Sequence, residues 1–151
     1  KFPFTRCRVV YIGDAGVPSL IGEANTPGGK CTFIATHPLP PASIEYWGGR
    51  NAQLAELPGY VKDAAAPVVL LGDLNTPPWS PFFRRLLRDS GLKDSSRGRG
   101  VHTTWPVGNI FFAVQIDHCL HSPGIAVIGK KNGPAVGSDH YPVIVDFVIS
   151  E

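Results

Sequence analysis

The sequence predicts an α/β fold in which a mixed, largely antiparallel sheet carries helices on one face. Apolar segments of strand length come first and last along the chain, and only two segments between them show helical spacing. The central segment 68–71 is apolar at every position, which is typical of a strand covered on both faces. At 151 residues the chain has the length of a single domain, 1–151, and enough residues to form a core.

Composition narrows the class of protein. Hydrophobic residues make up 43% and charged residues 17% of the chain, which indicates neither disorder nor a membrane span. A net charge of +2 is too small to predict nucleic-acid binding, and the basic run 84–99 is interpreted as a solvated helix face followed by a basic loop. Cys7, Cys31 and Cys119 are too widely spaced to predict a zinc site or a disulfide framework.

Three strands are predicted at the start of the fold. Residues 6–12 and 19–24 have the composition of short strands, and glycines at positions 13 and 16 mark the connection between them. Residues 26–29 then turn the chain into a third strand at 30–36. We therefore predict an antiparallel meander.

Two helices are predicted, one before and one after the central strand along the chain. The first begins near Ser43, and Pro58 is expected to kink or split it. Its apolar face comprises Ile44, Trp47, Leu54, Leu57 and Val61. The second helix begins at Ser80, because serine can cap a helix and the following proline suits the first turn, and it ends at Gly91. Its apolar stripe comprises Phe82, Phe83, Leu86 and Leu87.

The last part of the chain is predicted to contain strands and no helix. After a polar loop at 95–100, residues 102–105 begin an extended piece, and strands follow at 113–120, 125–130 and 141–149. Because several strands are apolar on both sides while the two helices cover one face, we expect the other face to be apolar and bare. Such a patch usually marks an interface, so we predict a homodimer formed through it.

A polar pair follows the central strand at once. Asp73 and Asn75 are one residue apart, so both side chains lie on the same face if strand geometry continues to Asn75. Pro77 and Pro78 prevent the strand from continuing, and strand ends are where ligands collect in open α/β sheets. Two interpretations have equal weight: a ligand site, or a turn in which both side chains bond nearby backbone.

Three further polar clusters lie where a predicted strand meets a loop. They are Thr36-His37-Pro38, Ile116-Asp117-His118 and Gly137-Ser138-Asp139-His140. Asp73 and Asp139 are credible magnesium ligands, because magnesium takes one or two carboxylates together with substrate phosphate and water. Histidines beside them can move protons or stabilise a developing negative charge. Together the four clusters predict a functional site.

Five segments, in order, resemble the endonuclease/exonuclease/phosphatase superfamily, which has the deoxyribonuclease I-like fold. They read THPLPP, PVVLLGDLNTPPWSP, HTTWP, QIDHCL and GSDHYPV, and they span residues 36–143. The resemblance implies about half of a four-layer α/β sandwich. It also implies a phosphoesterase that uses Mg²⁺ or Mn²⁺ and activated water to hydrolyse a phosphodiester or phosphomonoester. Nucleic acid, phospholipid and inositol phosphate are not distinguished as substrates.

The same resemblance implies roles for individual residues. The GDLN match makes Asp73 the group that orients or deprotonates the attacking water, while Asn75 bonds the phosphate. The SDH match makes Asp139 a metal ligand and His140 the imidazole at the scissile phosphate. Asp117 would accept a hydrogen bond from His140 and fix its tautomer.

The remaining histidines are interpreted one by one. His37 matches a histidine that faces the phosphate from the other side as an acid or charge stabiliser, and the alternative is a histidine that merely ends a strand. His118 and its neighbour Cys119 are interpreted as packing residues. His102 and His121 have no matched role.

One part of the family's metal site has no counterpart in the sequence. Family members carry a strand-end glutamate, usually preceded by glutamine, in their amino-terminal half, and no Gln-Glu pair occurs here. Glu23, Glu45 and Glu56 fall in the meander or on a helix. Since the chain also opens at Lys1 and contains no methionine, we expect the carboxyl-terminal part of a larger domain.

Such a chain is expected to bind magnesium weakly and to hydrolyse a generic substrate little or not at all, because few carboxylates remain to hold the ion. The alternative is a non-catalytic phosphate- or protein-binding module of the same fold. By analogy, bacterial relatives with similar motifs often resemble membrane-anchored or extracytoplasmic proteins, and the residues themselves leave the compartment open.

Overall fold

The structure, a computed structural model, describes residues 2–65, 67–109 and 111–149. In chain order their elements are β1 (Phe4–Tyr11), β2 (Pro18–Thr26), β3 (Gly29–Thr36), α1 (Ile44–Lys62), β4 (Val68–Asp73), α2 (Pro81–Ser90), β5 (Lys93–Asp94), β6 (Asp117–His121), β7 (Ile125–Asn132) and β8 (Val143–Ile149). One sheet has the strand order β1-β2-β3-β4-β6-β5, and β7 and β8 form a second sheet. Only the β3–β4 pair is parallel among these strands, which confirms the predicted mixed, largely antiparallel α/β fold.

Local sequence accounts for the order of these elements. The first three strands form the predicted antiparallel meander, and α1 then returns the chain so that β4 lies parallel to β3. Ser43 caps α1 by accepting a hydrogen bond from the N–H of Tyr46 at 3.1 Å, and Ser80 caps α2 in the same way. Gly91 ends α2 as predicted, in the left-handed conformation with a φ of 74°.

The prediction for α1 is wrong in two respects. The helix continues through Pro58 to Lys62 without a break. Its first turns do not pack on the core, since Ile44 is 89% and Trp47 46% exposed. The buried face of α1 instead begins with polar side chains and becomes apolar only later, comprising Arg50, Asn51, Gln53, Leu54, Leu57, Pro58 and Val61.

The predicted strand at 113–120 is too long. β6 begins only at Asp117, and residues 113–116 lie outside any strand except for one isolated bridge between Trp105 and Val114. The predicted extended piece at 102–105 contributes only that bridge. The pairing stops there because Thr104 uses its side chain to accept from the backbone N–H groups of Ile116 and Asp117, as described below.

Different elements cover the two faces of the central strand as far as Leu70. Val68 and Leu70 pack against the helices, whose core residues include Leu54, Leu57, Phe83 and Leu86. Val69 points the other way, where the β7–β8 hairpin covers part of the sheet with Ile125, Val145 and Phe147. The hairpin therefore explains why residues 68–71 show no polar alternation although α1 and α2 lie on one face. Neither helix combines the length and apolar character needed to span a bilayer.

One row of the hairpin-side face stays uncovered. Val9, Leu20 and Leu71 are 54%, 47% and 37% exposed, and the strand register aligns them through Ala35 across β1 to β4. The sequence predicted that this whole face would be apolar and bare, but the β7–β8 hairpin covers part of it, and this row stays exposed. The homodimer that we expect to cover it stays a prediction.

Light scattering on the 151-residue chain tests that expectation. Leu20→Lys should remain monomeric at concentrations at which the wild-type chain has the mass of a dimer, because an unpaired charge in an apolar interface is costly. Ile44→Lys, on the opposite side of the sheet, should leave the mass unchanged. A wild-type chain that stays monomeric would contradict the prediction.

Candidate active site

Glycine at position 72 lets the carboxyl ends of β3 and β4 approach each other. Gly72 has a φ of +143°, and a Cβ on it would lie 1.9 Å from the carbonyl oxygen of Thr36. Any other residue would push β4 away from β3. The residues that follow, His37 and Asp73, consequently face each other, with 3.6 Å between His37 Nε2 and Asp73 Oδ2.

The chain turns immediately after Asp73. Asn75 has a φ of 49°, and its backbone N–H donates to Asp73 Oδ1 at 2.8 Å. Strand geometry therefore does not continue to Asn75 as the sequence suggested, because this side-chain bond redirects the backbone. The turn interpretation describes the local geometry correctly. The same turn leaves Asp73 Oδ2 facing two histidines, and Asn75 Nδ2 donates to the carbonyl of Pro38 at 2.9 Å.

Asp117 holds the second of these histidines. It pairs with Asp73 across β4 and β6, and its Oδ2 accepts a hydrogen bond from His140 Nδ1 at 2.8 Å. His140 Nε2 lies 3.9 Å from Asp73 Oδ2. Because Nδ1 is engaged by Asp117, Nε2 is the ring atom that faces the cleft next to Asp73.

Thr104, in the HTTWP segment, ties the His140 loop to β6. Its buried hydroxyl accepts from the N–H groups of Ile116 and Asp117, each at 3.2 Å, and its carbonyl accepts from the N–H of Tyr141 at 2.8 Å. The backbone of Asp117 and that of Tyr141, the residue after His140, are thus held through one threonine. This arrangement fixes the distance between the two side chains.

The surroundings of the cluster raise the pKa of Asp73 and that of His140. Burial raises the pKa of Asp73, the N–H of Asn75 opposes this, and the charge of Asp117 raises it further. Burial lowers the pKa of His140, but the hydrogen bond and charge of Asp117, with the charges of Asp73 and Asp139, outweigh it and raise the pKa above its usual value.

The donor atoms fit a divalent cation. One ligand atom each of Asp73, Asp117 and His140 lies within 4.8 Å of the others. The charge of Asp117 raises the pKa of Asp73, a nearby cation would offset this effect, and oxygen donors suit magnesium. Asp139 lies outside this group, and its Oδ2 accepts a hydrogen bond from Trp105 Nε1 at 3.1 Å. Its role as a metal ligand stays a prediction.

Most of the predicted site residues surround one opening. His37, Asp73, Asn75 and His140 line a cleft of about 670 Å³, and Asp117 lies behind His140. Asp139 does not line this cleft, but it bonds the indole of Trp105, which does. The structure therefore brings the predicted side chains together, while their chemical roles stay predictions. The two histidines differ in exposure, since the side chain of His37 is 68% and that of His140 26% exposed.

His118 is a buried support for the same loop. Its Nε2 bonds the carbonyl of Thr76 at 2.8 Å, its Nδ1 is 3.3 Å from Gln115 Nε2, and its ring packs on Phe83. Burial lowers the pKa of His118 to about 4, so the ring is neutral at pH 7. The packing role that the sequence suggested is consistent with this position.

Arg50 also supports the loop, and sequence reasoning missed it. The side chain is 5% exposed and donates to the carbonyl of Asn75 at 2.6 Å, while Nε and Nη2 both bond Asn51 Oδ1. No carboxylate of the described residues forms an ion pair with it. The one available signal was a charged residue at a helix position that faces the core.

Replacing Arg50 by methionine should destabilise the fold by about 1–3 kcal/mol, because the buried carbonyl of Asn75 and the amide oxygen of Asn51 lose their donor. Arg50→Lys should restore little of this, since an ammonium lacks the planar fork. Urea unfolding measures the change. Arg84→Met is the matched control, because Arg84 is exposed and bonds only the carbonyl of Trp79. Equal stabilities of the two variants would contradict this role.

A family model supports the resemblance noted from the motifs. The model described as the endonuclease/exonuclease/phosphatase family matches residues 1–140. No curated protein matches the sequence.

Solved structures share the fold. An endonuclease/exonuclease/phosphatase from Beutenbergia cavernae is 24% identical with a TM-score of 0.79, and the match covers 99% of this chain and 46% of that one. The human Nocturnin catalytic domain, solved with a bound sulfate, is 16% identical with a TM-score of 0.78, covering 99% and 61%. Sphingomyelinase C from Streptomyces griseocarneus is 19% identical with a TM-score of 0.65, covering 96% and 65%. The chain thus spans about half to two thirds of these structures.

Proposed function

The chain belongs to the endonuclease/exonuclease/phosphatase family, and from this premise we propose that it hydrolyses a phosphate ester with water activated at Asp73 and with Mg²⁺ or Mn²⁺ as cofactor. Family membership supports a hydrolase of the phosphoesterase and nuclease type. The observation that carries the proposal for this chain is the Asp117–His140–Asp73 arrangement, in which one carboxylate engages the imidazole and a second faces it from the cleft.

Asp73 and Asp139 are the residues we propose to hold the cation. When bound, the cation would supply charge stabilisation to the phosphoryl oxygens and lower the pKa of a bound water. Asp73 is well placed to accept the proton of the attacking water, because burial raises the pKa of its carboxyl group and makes it a better base than an exposed aspartate.

Two histidines lie on either side of Asp73. His140 is held by Asp117 through Nδ1, so its Nε2–H can donate to a phosphoryl oxygen, and its raised pKa keeps it protonated more readily. His37 approaches Asp73 from the other strand and is exposed enough to contact substrate. Asn75 has its Nδ2 committed to the carbonyl of Pro38, which fixes its side-chain oxygen in orientation.

The alternative is a module that binds phosphate groups or proteins without turnover. Hydrolysis of bis-p-nitrophenyl phosphate distinguishes an enzyme from a binding module. The rate is measured at high protein concentration, with and without magnesium. We expect a low, magnesium-dependent rate that disappears in His140→Ala and persists in the control His102→Ala. Turnover that is absent, together with phenyl phosphate binding that is equal in wild type and His140→Ala, would favour the binding module.

A further inference from the structure

Two kinds of side chain line the cleft that contains the candidate site. Its polar residues include His37, Asp73, Asn75 and His140. Its apolar residues include Pro40, Pro41, Trp105, Val114 and Ile116, which together form an apolar wall. Small-molecule sites have this composition, with a few placed polar groups against an apolar wall, and about 670 Å³ lies within their usual range of volume.

The apolar wall is formed before any ligand arrives. Trp105 and Val114 exchange backbone hydrogen bonds of 3.0 and 2.7 Å, which hold their side of the cleft as a short ladder. The Trp105 ring is fixed by its bond to Asp139, and its centre lies 6.4 Å from that of His140. A group attached to a phosphate at His140 would therefore meet the indole directly.

Charge along the cleft does not suit a polyanion. Among the described residues that line the cleft, Arg50 is the one permanent cation, and its guanidinium is 5% exposed and committed to Asn75 and Asn51. Arg85 and Arg88 lie outside the cleft and pair with Asp89. A polynucleotide needs several phosphate contacts in succession. Among the described residues, the cleft offers such contacts only at the polar cluster next to His140.

We propose that this wall binds the apolar ester group of a small phosphate ester, such as an aromatic ring or a short alkyl chain, while the cluster binds its phosphate. The inference rests on the proposed function and deepens it by assigning a substrate class. The apolar group would lie between the two prolines and the indole. Affinity would then depend on the ester group as well as on the phosphate.

Phosphonates test this without turnover, because their phosphorus–carbon bond is not hydrolysed. Calorimetry in magnesium chloride compares methylphosphonate, phenylphosphonate and hexylphosphonate. We expect the phenyl or the hexyl compound to bind about tenfold tighter than the methyl compound, since either buries additional apolar area. Whichever of the phenyl and hexyl compounds binds more tightly shows whether the wall prefers an aromatic ring or an alkyl chain.

A matched pair of variants locates the effect. Val114→Thr keeps the side-chain shape but places a hydroxyl in the wall. It should reduce the gain in affinity of phenylphosphonate or hexylphosphonate over methylphosphonate roughly threefold, without changing the affinity for methylphosphonate. Val148→Thr, a partly exposed strand position that does not line the cleft, should leave the gain intact. Equal affinity for all three phosphonates would overturn the inference and leave the proposed function standing. No binding of any phosphonate would overturn both.

Discussion

Replacing Asp73 by asparagine should reduce hydrolysis by about 10²–10⁴-fold and, in the metal-free chain, stabilise the fold at neutral pH. The activity falls because the amide cannot accept the proton of the attacking water. The stability rises because the ionised carboxylate is buried and faces Asp117, whereas the amide oxygen can still accept from the N–H of Asn75. Few substitutions outside a functional site change activity and stability in opposite directions.

The raised pKa of Asp73 determines how the stability of the fold should change with pH. The folded-state pKa of Asp73 is raised, so the folded chain binds its proton more tightly than the unfolded chain does. The associated stability is present below the ordinary aspartate pKa and is lost as the pH rises through the raised value. Urea unfolding of Asp73→Asn should lack this loss, and Asp14→Asn on the exposed β1–β2 turn should retain it. An asparagine variant that is less stable than wild type at neutral pH would show that the carboxylate is structural.

Replacing Asp117 by asparagine should lower the pKa of His140. Burial already favours the neutral ring, and the hydrogen bond and charge of Asp117 are the main opposing effects. The imidazolium would then lose its strongest partner. Titration of the ring signals by NMR measures the change, with the His140 signal assigned through a His140→Gln variant. Asp146→Asn, on an exposed part of β8, should leave the His140 pKa unchanged.

Asp117→Asn should also change how the stability of the fold depends on pH. Because the folded-state pKa of His140 is raised, its contribution is present below the ordinary histidine pKa and is lost as the pH rises through the folded value. Asp117→Asn should flatten the stability curve in that interval. A His140 pKa that does not fall in this variant would mean that Asp117 does not control the ring.

Sequence patterns predicted the elements whose signals are local. Ser43, Ser80 and Gly91 begin or end their helices as expected, since capping depends on a few adjacent residues. Helix α1 was harder, because tertiary packing places Arg50 and Gln53 in the buried face while Trp47 stays exposed. No periodicity of apolar residues could have shown that.

The site was predicted in part for a similar reason. Asp73 ends β4 and Asp117 begins the antiparallel β6, so the two lie at the same edge of the sheet, and His140 lies in the loop before β8. Thr104 and His118 were missed as supports because both act on backbone groups far away in sequence. The turn at Asn75 could not be distinguished from a strand continuation, since the same residues permit both.

Broadening of NMR signals by Mn²⁺ locates a cation at the proposed site without requiring turnover. We expect substoichiometric Mn²⁺ to broaden first the amide signals of Asp73, Asn75, Asp139 and His140. Asp73→Asn should remove this effect, whereas Asp14→Asn should not. Uniform broadening, or broadening elsewhere that survives Asp73→Asn, would contradict a metal-dependent phosphoesterase site at this cluster.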